Sequence, residues 1–268
     1  GTLTPPPVKV MSQELNIPVF QPATIRDGQF LKQLQELKPD LCIVISYGKI
    51  FPPEFFSIPP LGFINVHYSL LPTYRGASPL QTAIMNGDKE SGISVALLEP
   101  EVDSGPILAE KRLPIPNDAY YLDLLKEYAK EGAKLLIETL PKYLSGKITP
   151  KEQDHSKVTS AKIFKRDDGR VNWSRSVDQI YNRVRALSSE PGVWTTLNEE
   201  VLKIIKAHPL NEENDAEIGT IIDTSNQIAV SAGHGLLALE TIQLAGGRTM
   251  SAKEFTNGRK DFIGSVLE

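Results

Sequence analysis

The sequence has a single cysteine, no long apolar run and no glycine-rich phosphate-binding motif. Because Cys42 is the only cysteine among 268 residues, a disulfide bond within the chain is excluded. Uninterrupted apolar stretches such as Leu41–Ile45 are far shorter than the about 20 residues that a membrane-spanning helix needs. Neither GxGxxG nor GxxxxGK[ST] occurs, so a dinucleotide site or a P-loop nucleotide site has no support in the sequence.

The sequence also lacks an excess of positive charge. Its formal net charge of −4 argues against broad non-specific binding to nucleic acid, which depends on the neutralisation of phosphates by Lys and Arg. Residues 142–175 are a local exception, since they contain nine Lys or Arg and only four Asp or Glu. Two interpretations of this segment stay open, a solvated linker and a basic surface that contacts nucleic acid.

Apolar strand patterns alternate with helical patterns over the first half of the chain. The continuous apolar run at Leu41–Ser46 is typical of a strand that is buried on both faces in a parallel sheet. The clearest helical period spans residues 120–143. This alternation predicts the α/β class, with a mostly parallel, Rossmann-like sheet that has helices on both faces.

The second half of the chain has a different pattern. After Gly192, about five short β-prone runs are separated by clusters of Asn, Asp, Gly and Glu, which is typical of a small β-barrel. We therefore predict an α/β unit at residues 1–146, a basic linker at 147–170 and an OB-like β-barrel at 171–268.

Polar residues capable of catalysis follow two of the predicted strands. Asn65 and His67 are two residues apart in an extended segment, so their side chains share one face while Ile64 and Val66 point into the packing. A lone histidine is more often a hydrogen-bonded structural residue, but a second apolar strand leads to Asp103. A carboxylate beside an imidazole would orient the ring and suit it for acid–base chemistry near neutral pH.

Five sequence blocks carry a resemblance to a known family over nearly the whole chain. They are NVH at 65–67, SLLP at 69–72, YRGASPLQ at 74–81, DSGP at 103–106 and the C-terminal run at 242–259. Together and in this order, they resemble the folate-dependent formyltransferases, most closely the methionyl-tRNA formyltransferases. The resemblance implies transfer of a formyl group from 10-formyltetrahydrofolate to the α-amine of methionine on initiator tRNA.

The resemblance also implies roles for individual residues. Asn65, His67 and Asp103 are the expected catalytic residues, and the choice of general base between His67 and Asp103 stays open. The expected folate-binding residues are Ser46, Tyr47, Gly48, Ser69, Leu70, Leu71, Pro72 and Gly105. The expected tRNA-binding residues are Lys162, Lys165, Arg166, Arg170 and Arg248. We expect no metal.

Two alternatives remain at this level. The chain could formylate the amine of a sugar nucleotide such as a UDP-amino-sugar, or it could be a non-catalytic module that binds folate or RNA. We expect a monomer in the bacterial cytoplasm, or in an organellar matrix, without membrane association. Members of the family begin with a strand, a glycine turn and a helix, so we expect this chain to lack roughly the first fifth of a typical member.

Overall fold

The computed structural model describes residues 4–210, 212, 214–224 and 227–268. The first half contains a four-stranded sheet with flanking helices. Its elements are α1 (Pro7–Glu14), α2 (Gln29–Leu37), β1 (Cys42–Val44), β2 (Phe63–His67), β3 (Arg75–Gly76), α3 (Pro79–Asn86), β4 (Glu90–Leu97), β5 (Ile107–Pro114) and α4 (Tyr121–Leu144).

The sheet has the strand order β1-β2-β4-β5, with β1 and β2 parallel and the other two pairs antiparallel. The α/β class is confirmed, although the parallel share of the pairing is smaller than the sequence predicted. The turn of residues 98–106 joins β4 to β5 directly, and a connection this short allows only antiparallel pairing.

Helices cover both faces of the sheet, as predicted. Ile64 and Val66 are buried on the face that packs against α4, where Gly132 lets the helix approach closely. A Cβ atom on Gly132 would lie 3.0 Å from Val66 Cγ1. On the opposite face, Phe63 packs in a separate aromatic cluster with Phe55 and with apolar residues of α2. Burial of each such side chain contributes about 1.5–3 kcal/mol to folding.

The second half forms an antiparallel sheet. Its elements are β6 (Ser160–Ala161), α5 (Val177–Leu187), β7 (Val193–Leu197), β8 (Glu200–Leu210), β9 (Ile221–Thr224), β10 (Gln227–Ser231), β11 (Leu236–Leu244), β12 (Met250–Ser251) and α6 (Ala252–Gly258). Five strands run in the order β7-β8-β11-β10-β9, and β12 pairs with β11.

The C-terminal residues close this sheet. Leu267 bridges Leu197 at the end of β7, and Val266 bridges Thr220 just before β9, so both edge strands are paired through one segment. Closure removes the exposed strand edges that would otherwise invite aggregation. The arrangement agrees with the small barrel that the sequence predicted.

The segment between the two sheets is hydrogen-bonded to the first half of the chain. Lys151 exchanges two backbone hydrogen bonds with Ile107 at the start of β5, with N···O distances of 2.8 and 2.9 Å. Further on, β6 pairs in parallel with β3. The basic linker therefore lies against the turns that precede α3 and β5.

Buried polar contacts join the two halves of the chain. Gln81 on α3 donates its side-chain amide to the backbone oxygens of Ala186 and Glu190, at 3.2 and 2.8 Å. The Tyr120 hydroxyl donates to Ala207 O at 2.9 Å and accepts from Ala207 N at 3.1 Å. These contacts help to hold the barrel beside the first sheet.

Candidate active site

The structure brings Asn65, His67 and Asp103 together. Asn65 and His67 project from one face of β2, and the turn after β4 places Asp103 over them. Asn65 Nδ2 donates to Asp103 Oδ1 at 3.1 Å. His67 Nδ1 lies 3.6 Å from Asp103 Oδ2, which is longer than a hydrogen bond. The His67 side chain is 5% exposed and that of Asp103 is 11% exposed, so the group is largely shielded from water.

Both ring nitrogens of His67 face oxygen atoms. Nε2 lies 3.0 Å from the backbone oxygen of Tyr74, which can only accept, so Nε2 carries the proton in this contact. Nδ1 faces the Asp103 carboxylate on the other side of the ring. The 3.6 Å separation from Asp103 Oδ2 is compatible with Nδ1 both with and without a proton. The arrangement therefore suits a histidine that holds or moves a proton beside Asp103.

Asp103 is held at a strained backbone position. Its φ is +50°, in the left-handed region that non-glycine residues rarely adopt. Its Oδ2 accepts a hydrogen bond from Gly76 N at 2.8 Å. Gly76 itself requires glycine, because its φ is +118° and a Cβ atom there would lie 2.3 Å from the backbone oxygen of Ala161. The backbone of β3 therefore helps to position the Asp103 carboxylate.

A buried arginine lies next to this turn. Arg75 is 7% exposed and donates from Nε and Nη2 to Gln153 Oε1, at 3.1 and 2.8 Å. Its ion pair with Glu101, at 3.5 Å, is weak because the Glu101 side chain is 74% exposed. Gln153 was not among the predicted site residues, because it lies in a segment without any hydrophobic period. Its distance along the chain from Asp103 matches no motif that a single sequence would reveal.

The first group of predicted folate residues follows β1. Because β1 and β2 are parallel, their carboxyl ends lie at the same edge of the sheet. Ser46 and Gly48 adopt positive φ values of +49° and +70° there. Tyr47 between them is 39% exposed and stacks on Phe51, with ring centroids 5.4 Å apart. This edge offers an aromatic surface beside exposed backbone groups.

The second group of predicted folate residues forms a tight turn after β2. The Ser94 hydroxyl donates to Ser69 O at 2.8 Å and accepts from Leu71 N at 3.0 Å. Leu71, at 5% exposure, packs inside, and the Leu71–Pro72 peptide bond is cis. Leu70 is half-buried. Leu71 therefore has a packing role in this turn.

Gly105 is buried in the turn that also carries Asp103. A Cβ atom there would lie 2.1 Å from the backbone oxygen of Leu97, so only glycine allows the chain to pass this strand end. The Gly105 oxygen accepts from Gln153 Nε2 at 2.7 Å. The residue contributes the shape of the turn.

Four of the five predicted tRNA-binding residues lie close together in the chain, and Arg248 lies apart from them. The guanidinium groups of Arg166 and Arg170 both lie over the Trp194 ring, at 5.7 and 5.6 Å from its centroid. Lys162 pairs with Asp168 at 2.5 Å, and this contact lowers the pKa of the Asp168 carboxyl.

The fourth linker residue, Lys165, is exposed just before the 3₁₀ turn Arg166–Gly169. Arg248 lies instead in the turn between β11 and β12, where its charge helps to lower the pKa of Glu254. That lowering is due first to the hydrogen bonds that Glu254 accepts from Ser251. The five predicted residues therefore come from two separate segments of the chain.

No three His, Cys, Asp or Glu side chains are grouped so that they could hold a metal ion, within the part of the chain that the structure describes. Over the same residues, no helix combines the length and the apolar character needed to cross a membrane.

Comparison with known proteins gives matches over nearly the whole chain. Residues 2–140 match the family model described as formyl transferase, and residues 163–260 match the formyl transferase C-terminal domain. The methionyl-tRNA formyltransferase of Roseiflexus castenholzii is 43% identical over 253 residues, which are 94% of this chain and 81% of the relative. That of Thermodesulfovibrio yellowstonii is 40% identical over 258 residues, which are 96% of this chain and 83% of the relative.

Solved structures share the fold at lower sequence identity. HypX from Aquifex aeolicus in complex with tetrahydrofolic acid has a TM-score of 0.68 and 18% identity, over 86% of this chain and 41% of that one. The Helicobacter canadensis N-formyltransferase, bound to folinic acid and dTDP-3-aminofucose, has a TM-score of 0.65 and 20% identity, over 89% and 81%. Methionyl-tRNA formyltransferase from Clostridium thermocellum has a TM-score of 0.57 and 22% identity, over 71% and 81%.

Proposed function

The chain belongs to the formyl transferase family and, within it, to the methionyl-tRNA formyltransferases, and from this premise we propose that it formylates the α-amine of methionyl initiator tRNA. The proposed formyl donor is 10-formyltetrahydrofolate. The observation that carries the proposal is the contact group of Asn65, His67 and Asp103, which is shielded from water beside an open sheet edge. The enzyme class is that of a one-carbon group transferase acting in translation initiation.

The chemistry needs a donor for developing negative charge. When an amine attacks a formyl carbon, the carbonyl oxygen gains charge, and a fixed N–H donor stabilises it. Asn65 has two side-chain N–H groups, and Asp103 takes one of them. The second is available to an oxygen that gains charge. Loss of such a donor typically lowers the rate by about 10²–10³-fold.

The same chemistry needs an acceptor for the amine proton. Asp103 lies within reach of both Asn65 and His67, and we propose that it orients them and accepts the proton, directly or through a water molecule. In its protonated form, His67 places a positive charge next to Asp103 and can return a proton to the leaving group. Assignment of the general base to His67 instead is the competing version of this step.

We place the folate at the edge formed by the ends of β1 and β2. The exposed ring of Tyr47 and the backbone groups of Ser46 and Gly48 suit a flat ring that carries hydrogen-bonding edges. The turn from Ser69 to Pro72 and Gly105 would then shape the pocket wall.

We place the tRNA acceptor stem along the linker. Lys162, Lys165, Arg166 and Arg170 supply its positive charge, and Arg248 supplies a separate contact. The protein would act as a monomer in the bacterial cytoplasm, or in an organellar matrix.

Sugar-nucleotide formylation is the competing function, because the H. canadensis enzyme shares the fold. That likeness is at 20% identity, whereas the methionyl-tRNA formyltransferases of R. castenholzii and T. yellowstonii reach 43% and 40%. The higher identity favours the tRNA substrate over the sugar nucleotide.

A direct assay separates these functions. Formyl transfer from 10-formyltetrahydrofolate would be measured with methionyl initiator tRNA and, in parallel, with a UDP-amino-sugar. His67→Ala should abolish transfer to tRNA, whereas His234→Ala, which alters an exposed histidine of the barrel, should leave it unchanged. Transfer to the sugar alone would assign the competing function. Absence of transfer to both substrates would favour a non-catalytic folate- or RNA-binding module.

A further inference from the structure

The turn that carries Asp103 needs support from outside itself. With a φ of +50°, Asp103 occupies a left-handed backbone region that is unfavourable for residues other than glycine. Such a conformation persists only when surrounding contacts hold it. The carboxylate contacts with Asn65 and Gly76 constrain the end of the side chain but leave the backbone of the turn to other groups.

Gln153 supplies that support. Its Nε2 donates to two backbone oxygens of the turn, Asp103 O at 2.9 Å and Gly105 O at 2.7 Å. One side-chain amide thus bonds the strained residue and the residue two positions later. The Gln153 side chain is 5% exposed, so water does not compete for either bond.

Gln153 is itself fixed from both sides. Its Oε1 accepts two hydrogen bonds from the guanidinium of Arg75. Its main chain follows Lys151, which is paired with Ile107 at the start of β5. Every donor and acceptor of the Gln153 amide group is therefore used, which sets the orientation of the amide.

We infer that Gln153 is a positioning residue for Asp103, through which the linker holds the carboxylate in reach of Asn65 and His67. The inference deepens the proposed function and rests on it for its kinetic consequence. Loss of the two bonds from Nε2 lets the turn shift, and a misplacement of about 1 Å at a reacting group can lower a rate by about 10²-fold.

Two substitutions separate the donor role of the Gln153 amide from its acceptor role. Gln153→Met has a similar length and removes all four hydrogen bonds. Gln153→Glu keeps an acceptor for Arg75 but has no donor for the two turn oxygens. The inference assigns the positioning role to the Nε2 donor of the amide, which both variants lack. Both variants should therefore lower kcat for formyl transfer by about 10²-fold and change KM for the tRNA by less than about threefold. Glu152→Gln, at an exposed neighbouring position, is the matched control.

A second readout does not depend on activity. The Gly76 amide donates to Asp103 Oδ2 at 2.8 Å, so its hydrogen exchange, followed by NMR, reports where the carboxylate lies. Both Gln153 variants should speed the exchange of the Gly76 amide by about tenfold, because the hydrogen bond to Asp103 Oδ2 is lost when the carboxylate moves. Glu152→Gln should leave it unchanged.

The outcomes distinguish failure of the positioning role of Gln153 from failure of the proposed function. Full activity in Gln153→Glu, or a Gly76 exchange rate equal to that of the unaltered chain, would overturn the positioning role. Absence of formyl transfer by the unaltered chain would overturn the proposed function, and the exchange measurement would still test the position of Asp103. If Gln153→Met fails to fold, Gln153→Glu carries both measurements, because it keeps a partner for Arg75.

Discussion

Replacement of Asp103 by asparagine would test the centre of the candidate active site with almost no change in shape. The carboxylate now accepts from Asn65 Nδ2 at 3.1 Å and from Gly76 N at 2.8 Å, and it faces His67 Nδ1 at 3.6 Å. In Asp103→Asn, one of the two terminal oxygens becomes an NH₂ group. Whichever orientation the new amide takes, a donor then faces a donor.

The two orientations have different costs. If the new NH₂ group points to Gly76, the backbone N–H of Gly76 loses its acceptor. If it points to Asn65, the Asn65 amide can rotate and accept instead, but its N–H groups then leave the position proposed for charge stabilisation. Either orientation disturbs one of the functions that the geometry assigns to the site.

The magnitude follows from the bonds lost. Hydrogen bonds to a charged group contribute about 1.5–3 kcal/mol, and a neutral replacement contributes about 1 kcal/mol. We therefore expect the free energy of unfolding to fall by about 1–3 kcal/mol, which a folded enzyme tolerates. Loss of charge stabilisation and of the proton acceptor should lower kcat by about 10³-fold.

The assay combines kinetics with stability. Steady-state formyl transfer to methionyl initiator tRNA gives kcat, and urea unfolding of the same preparation gives the free energy of unfolding. Asp178→Asn, in the exposed first turn of α5, is the matched control for loss of one carboxylate charge. A kcat for Asp103→Asn within about threefold of the unaltered chain would refute the role assigned to this carboxylate.

Three further predictions concern stability, pH and salt. Tyr120→Phe removes the hydroxyl that bonds both the N–H and the C=O of Ala207, so urea unfolding should show a loss of about 2–4 kcal/mol, and a loss below about 0.5 kcal/mol would contradict the bridging role. A side-chain hydrogen bond from Lys111 is the largest cause of the lowering of the pKa of Glu131 to about 2, from 4.5. The resulting stabilisation is complete above pH 4.5 and is lost as the pH falls through 2. Glu131→Gln should therefore make the decline of Tm between pH 5 and pH 2 shallower, and an unaltered decline would argue against this ion pair. Binding of methionyl initiator tRNA should weaken steeply as salt rises if residues 160–170 contact phosphates, whereas a flat response would count against that surface.

Much of the local structure could be predicted from the sequence because it depends on neighbouring residues. The helical period at residues 120–143 predicted α4 to within one residue at each end. Proline in the first turn and glycine after the last turn define α3, since Pro79 suits a helix start and Gly87 adopts a positive φ of +77°. Strand alternation likewise predicted that Asn65 and His67 share a face.

The contacts that complete the candidate site depend on the tertiary structure. Asp103 is 38 residues from Asn65 in the chain, and the turn between two antiparallel strands brings it there. Gln153 comes from the linker, 50 residues beyond Asp103, and no local pattern indicates that its amide meets that turn.

Closure of the barrel also depends on tertiary structure, because Leu267 reaches Leu197 only when the whole second sheet has formed. Hydrophobic period and turn chemistry are properties of adjacent residues, so the sequence determined the elements and the residue types at their ends. Register, strand direction and the meeting of distant polar groups depend on packing of the complete chain, so only the tertiary structure decided which side chains surround Asp103.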